Sequence, residues 1–310
     1  METLLGLIAL TIVVVVYLRR WLLKKDIPQQ QTTAFHGELF QIGEACLARH
    51  TVENPSTTVV VVHGFVENFM YFSAHYSDPG IELIKLTCAD YHVPVARPVY
   101  TKVDWARAPD YIAGTIAYDA AVLNLALEHL VSTRQVRVHG HSRGGAVTLE
   151  AARQRPDLFQ SVEVVLEAPV LPQGKPYRPL PALARWLFPF FLALWQQQPI
   201  SERNRAVWGS LDNPRKRELI WGFPFNARHC TTLVTNIHDM NSWMTETGTD
   251  IYRCVQRGAV IVPSRDKVLD PRAMLASARQ AENLQIIETQ DCSHFVILDQ
   301  PEAIPPLQHG

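Results

Sequence analysis

The pentapeptide Gly140-His141-Ser142-Arg143-Gly144 sets a serine between two glycines, where a β-branched run gives way to a helical pattern. A serine on such a turn is a nucleophile in waiting. The glycines, Gly140 and Gly144, remove the clashes of a sharp strand-to-helix bend, and the following helix N-terminus favours developing negative charge. A serine hydroxyl is weak at neutral pH, so Ser142 needs a base within hydrogen-bond reach and a third group to orient that base. On such an elbow the acid and then the histidine follow the serine along the chain. His294, in CSHFVILDQPE just past the last strand-like run, stands where the base should be. His229 and His238 fall in or just after the proline-rich middle of the chain, and His309 lies at its end. For the acid, Asp266 follows the run GAVIVP in the loop Ser264-Arg265-Asp266. Asp270 precedes Pro271 and reads as a helix N-cap with proline at the first helical position, a structural job that leaves Asp266 for the chemistry. Glu167 is a third choice.

A carbonyl attacked by Ser142 becomes a tetrahedral oxyanion that needs two backbone donors. The amide of Arg143, next to the nucleophile, supplies one. The amide of Phe65, in His63-Gly64-Phe65 after the run TVVVV, supplies the other. This chemistry requires no metal and no organic cofactor. The five cysteines (Cys46, Cys88, Cys230, Cys254 and Cys292) are odd in number and widely spaced, with no CxxC. They point to neither a disulfide framework nor a zinc site and are expected as small buried side chains.

These residues need a scaffold, and the hydrophobic pattern outlines one. Thr58–Val62 reads as a buried strand, residues 79–91 as a helix, and residues 92–100 as a second strand and its exit. A long helix is expected over residues 110–131, a third strand over 135–139, a helix over 144–154 and a fourth strand over 161–167. Strands alternating with helices imply a doubly wound, mostly parallel α/β sheet. The rhythm breaks at Ala168. The run LPALARWLFPFFLALW, residues 180–195, is apolar almost all round but is interrupted by Pro181, Arg185 and Pro189. Residues 169–245 are therefore expected to form a helical cap over the sheet. The alternation then resumes with a strand over 258–263, a helix over 270–282 and a last strand over 284–289, leaving room for only a brief final helix. The core comprises 37–168 and 246–310.

The chain has 310 residues, 47% of them hydrophobic, with a formal net charge of −1. No run of lysine or arginine offers a nucleic-acid surface. The start is different in character. Leu4–Leu18 carries no charge and continues through Arg19 and Arg20 to Trp21-Leu22-Leu23 and two lysines. Snorkelling arginines and an interfacial tryptophan extend the apolar stretch towards the roughly 20 residues that cross a bilayer. Glu2 precedes the run, the bases follow it, and no Ala-x-Ala site lies downstream, which is unlike a cleaved signal peptide. Residues 1–25 are expected as an uncleaved single-pass anchor and 26–36 as a linker. The positive-inside rule then puts the catalytic domain in the cytoplasm.

The segments VVVVHGF, GHSRGG, VPSRDKVLD and SHFVILDQPE occur in the order of the α/β-hydrolase superfamily, which the chain resembles over residues 36–305. The resemblance implies that fold, a cap inserted after the fourth predicted strand, and a Ser142–Asp266–His294 triad. Relatives with aspartate at the nucleophile position dehalogenate or open epoxides; serine points to acyl transfer through an acyl-enzyme. Two departures stand out: a glycine usual near the acid is replaced around Pro263-Ser264, and the last helix is curtailed. The anchored architecture is similar to that of bacterial membrane-bound lysophospholipases and phospholipases A. The expected function is a membrane-anchored serine esterase acting on a small-molecule or lipid-like acyl ester. A thioesterase or acyltransferase on carrier-bound chains, and a non-catalytic scaffold, are the alternatives. The oligomeric state is not readable from the sequence.

Overall fold

Valine- and isoleucine-rich strands build the middle of the molecule. The computed structural model describes residues 1–25, 32–176, 181–223 and 226–307; most of the expected linker lies outside them. Among the described residues eight strands form one sheet: β1 (Glu38–Ile42), β2 (Ala45–His50), β3 (Thr57–Val62), β4 (Ile81–Thr87), β5 (Val136–His141), β6 (Glu163–Glu167), β7 (Arg257–Pro263) and β8 (Gln285–Thr289). Their order is β1-β2-β4-β3-β5-β6-β7-β8. The pairs from β4 through β3 to β8 are parallel, and β1–β2 and β2–β4 are antiparallel.

The period of two assigns side chains to faces. Val60, Val62, Val138, Val164, Leu166, Val260 and Val262 enter one core with α2 (Ile116–His129), α3 (Arg143–Gln154) and α9 (Pro271–Ala278). Val59, Val61, Val165 and Ile261 enter a second core on the opposite face. That core is completed by the segment between β6 and β7, which holds α4 (Ala182–Trp186), α5 (Phe188–Gln197), α6 (Arg205–Trp208), α7 (Pro214–Gly222) and α8 (Cys230–Glu246). The short α10 (Val296–Asp299) follows β8.

Two expectations fail side by side. Residues 79–91, expected as a helix, instead contain β4, all seven of whose residues are buried. Glu82 and Lys85 imitate the polar face of a helix, but in the sheet each has a partner. Glu82 binds Arg49 of β2 at 2.8 Å. Lys85 donates to Ser73 Oγ at 3.2 Å and lies over the rings of Phe35 and Phe69. Residues 92–100 form no strand beyond a single bridge from Val95 to Thr33. Pro94 and Pro98 remove two ladder donors there. The long helix is also shorter than its apolar pattern, because Gly114 takes φ +83° and Thr115 caps α2 by accepting from Tyr118 N. The β1–β2 hairpin occupies a stretch to which the sequence pattern assigns no element.

The N-terminal helix α1 (Glu2–Lys24) has no buried residue, and its most apolar window has a mean hydropathy of 2.0. By length and composition it is a candidate membrane span. Its last turns are half-covered at Val15, Val16, Arg19, Leu22 and Leu23, where it meets α5 and the 3-10 turn Ala227–His229.

Candidate active site

Ser142 sits where β5 ends and α3 begins, with φ 53° and ψ −117°. A non-glycine residue in that region is strained by about 1–3 kcal/mol and persists only where its surroundings impose it. The glycines make the bend possible. A Cβ on Gly140 would lie 2.3 Å from Gly144 O, and one on Gly144 would lie 2.1 Å from Val62 O. The turn is pinned by Ser142 N donating to Glu167 O at 2.9 Å and by Ser142 O accepting from Gly145 and Val170.

His294, in the loop after β8, donates from Nδ1 to Asp266 Oδ2 at 2.6 Å. The other carboxylate oxygen of Asp266 accepts from Val268 N and Leu269 N at 2.7 and 2.9 Å. The carboxylate is thus fixed from both sides, and it fixes the imidazole with Nε2 left to act. Asp270 accepts from Arg272 N and Ala273 N as the N-cap of α9. Glu167 bonds His139, Tyr71 and Ile297 N rather than His294.

Across the sheet, Gly64 is packed so closely on Ser142 that a Cβ there would come within 2.9 Å of the serine Cβ. Two of the three amides in this loop are occupied: Gly64 N donates to Glu67 Oε2 at 2.7 Å, and Val66 N donates to Tyr91 Oη at 3.1 Å. Between them, the Phe65 amide has no acceptor among the described residues. The same holds for the Arg143 amide, which opens α3 where no intrahelical acceptor exists. The Arg143 side chain points away from this amide and binds Asp119 at 2.6 Å and Gly114 O at 3.1 Å, tying the start of α3 to α2. His63 donates from Nδ1 to Gly64 O and accepts from Cys88 N; burial lowers its pKa, consistent with that neutral tautomer.

A layer that sequence reasoning missed joins these loops. His141 Nδ1 meets Glu67 Oε2 at 2.9 Å and its Nε2 meets His294 O at 3.0 Å. Both partners only accept, so both ring nitrogens carry hydrogen and His141 is an imidazolium. Burial opposes that charge, but the Glu67 and Glu167 carboxylates and the two hydrogen bonds outweigh it and push the pKa up to about 9. One cation therefore ties together the loop that carries Phe65, the elbow that carries Ser142 and the loop that carries His294. The helical insertion reaches the same place. Lys216 of α7, fully buried, binds Asp299 at 2.6 Å and Ser293 Oγ at 3.1 Å, while Trp208 packs on Phe295. Ser142 and His294 are only 4% and 2% exposed.

Among the described residues no group of histidine, cysteine and carboxylate side chains is arranged to hold a metal ion. A strained serine on a strand-to-helix elbow, a carboxylate-held histidine and two open amides are groups that suit nucleophilic chemistry. The family profile described as "Alpha/beta hydrolase family" matches residues 59–304, and the chain belongs to that family. The solved structures agree in fold. An esterase, EaEST, from Exiguobacterium antarcticum superposes with a TM-score of 0.60 at 14% identity, over 86% of this chain and 96% of its own. The 2-hydroxy-6-oxo-6-phenylhexa-2,4-dienoate hydrolase BphD from Rhodococcus sp. strain RHA1 gives 0.62 at 15% identity, over 88% and 96%. A thermophilic esterase from Thermogutta terrifontis gives 0.55 at 19% identity, over 90% and 94%. A search of curated proteins found no match.

Proposed function

We propose that this α/β-hydrolase is a serine esterase that cleaves carboxylic esters of lipid-like acyl groups. The observations that carry the reading are the Asp266–His294 hydrogen bond and the serine held at positive φ on the elbow. In this reading His294 Nε2 takes the Ser142 proton as Oγ attacks the ester carbonyl. Asp266 stabilises the imidazolium that forms, and the Phe65 and Arg143 amides receive the oxyanion. The imidazolium returns its proton to the leaving alcohol. Water, deprotonated by His294, then releases the acid from the acyl-enzyme. No step is assigned to a cofactor. Support for an apolar substrate comes from the phenylalanine- and tryptophan-rich insertion and from α1, which we take as a membrane anchor; the bases after it favour a cytoplasmic body.

The test is labelling with a fluorophosphonate probe. Wild type is expected to label and Ser142→Ala is not. Labelling that persists in Ser142→Ala would remove Ser142 from the role, and a folded wild type that never labels would turn the reading towards a non-catalytic scaffold. Hydrolysis rates across p-nitrophenyl esters, lysophospholipids and acyl-CoA then fix the leaving group.

A further inference from the structure

The helices α4 and α5 follow one another with only Leu187 between them, and they carry apolar residues both buried and exposed. Phe188 and Leu192 are buried in the core below. Exposed on the same two helices are Leu183, Trp186, Phe191 and Leu194, at 69%, 38%, 38% and 62%. Leu183 and Trp186 of α4 lie three positions apart, as do Phe191 and Leu194 of α5, so each helix carries one pair of this stripe on a shared face. No residue from 186 to 201 is charged. A surface helix surrounded by water turns polar side chains outward; this one turns leucine, tryptophan and phenylalanine.

The neighbouring helix indicates what covers the stripe. Arg19 of α1 donates from Nε to Trp186 O at 3.1 Å, and its guanidinium lies 5.5 Å from the Trp186 ring centroid. The half-covered face of α1, from Val15 to Leu23, packs on α5. That span rises about 12 Å, so the stripe runs beside the last turns of α1, where a spanning helix passes from acyl chains into headgroups. At the same level stand Arg19, Arg20, Lys24, Lys25 and the exposed Trp21, a set suited to anionic headgroups and to an interfacial ring.

We propose that the α4–α5 stripe is a second membrane contact, seated in the headgroup–acyl boundary of the leaflet at which α1 ends. The inference rests on reading α1 as a membrane span. It makes the insertion part of the membrane-bound surface, so an ester dissolved in the leaflet meets the protein next to the elements that cover Ser142.

The test uses the full-length chain with Cys254→Ser, the half-buried cysteine, and Leu194→Cys labelled with a nitrobenzoxadiazole fluorophore. The protein is reconstituted in phosphatidylcholine–phosphatidylglycerol vesicles with or without brominated acyl chains. Phe191→Cys repeats the measurement in case Leu194→Cys misfolds, and the exposed Glu282→Cys is the reference. The expected result is blue-shifted emission at 194 or 191, quenched by brominated lipid at least twofold more than at 282. Protein that floats with the vesicles while both stripe probes behave as at 282 overturns the stripe and leaves the anchor standing. Protein that does not float overturns the anchor and the stripe with it. A blue shift that is lost on dilution and indifferent to bromine means a second copy covers the stripe, which also overturns the proposal.

Discussion

Two histidines two residues apart on β5 are held in opposite charge states by their partners. His139 accepts from Tyr76 Oη and donates to Glu167, and burial lowers its pKa. His141 faces two acceptors and is held charged. Its folded pKa of about 9 lies above the unfolded value of about 6.5, so it contributes stability that is complete below pH 6.5 and lost as pH rises through 9. The shift corresponds to about 3 kcal/mol. Chemical denaturation of the wild type is therefore expected to show falling stability from pH 6.5 to 9, and His141→Gln to show a much flatter profile from a lower starting value; parallel profiles would contradict the charged state. At the neighbouring loop, Asp266→Asn should lower kcat by about 10⁴ with little change in KM, because His294 loses its tautomer while the binding surface is unaltered. The elbow at Ser142 and the loop positions of Asp266 and His294 were legible in the sequence because each lies in a short local pattern next to a strand end. The pair Glu67–His141 was not. Seventy-four positions separate the partners, and a glutamate in a loop looks like an ordinary solvated charge until the fold closes over it.

The elements position the site through a few close approaches. Gly144→Ala places a methyl group on the Val62 carbonyl, and α3 cannot retreat without moving Ser142. A loss of about 3 kcal/mol is expected, seen as a lowered unfolding midpoint together with reduced fluorophosphonate labelling. The ion pair Lys216–Asp299 links α7 of the insertion to α10, just after His294. Asp299→Ala leaves a buried ammonium without its carboxylate and should cost about 3–5 kcal/mol, measured by the same unfolding curve. At this scale the sequence pattern read strands well where both faces are β-branched, as in β3 and β7. It failed at β4, whose charges are met by Arg49 on another strand and by Ser73, Phe35 and Phe69 elsewhere in the chain, and no local window contains those partners.

For the whole molecule, the α/β class followed from the alternation of strand and helix patterns, and the break after β6 coincides with the helical insertion. The contact between α1 and that insertion could not be anticipated, because an apolar helix at the start of a chain carries no sign of what its last turns touch. Full-length protein is expected to stay in the membrane pellet after an alkaline carbonate wash; release into the supernatant would exclude α1 as a span.

The middle of the sheet has one more long-range dependence. Arg137 of β5 is 1% exposed, pairs with Glu163 at 2.8 Å, and donates to the carbonyls of Pro305 and Pro306. Those acceptors lie 168 and 169 residues further along. During synthesis, β5 leaves the ribosome long before them, and until they arrive its guanidinium faces a closing apolar sheet with part of its hydrogen bonding unmet. Such non-local closure is slow. The nascent hydrolase must therefore wait, with its central strand partly open, for residues 305 and 306 to seal it.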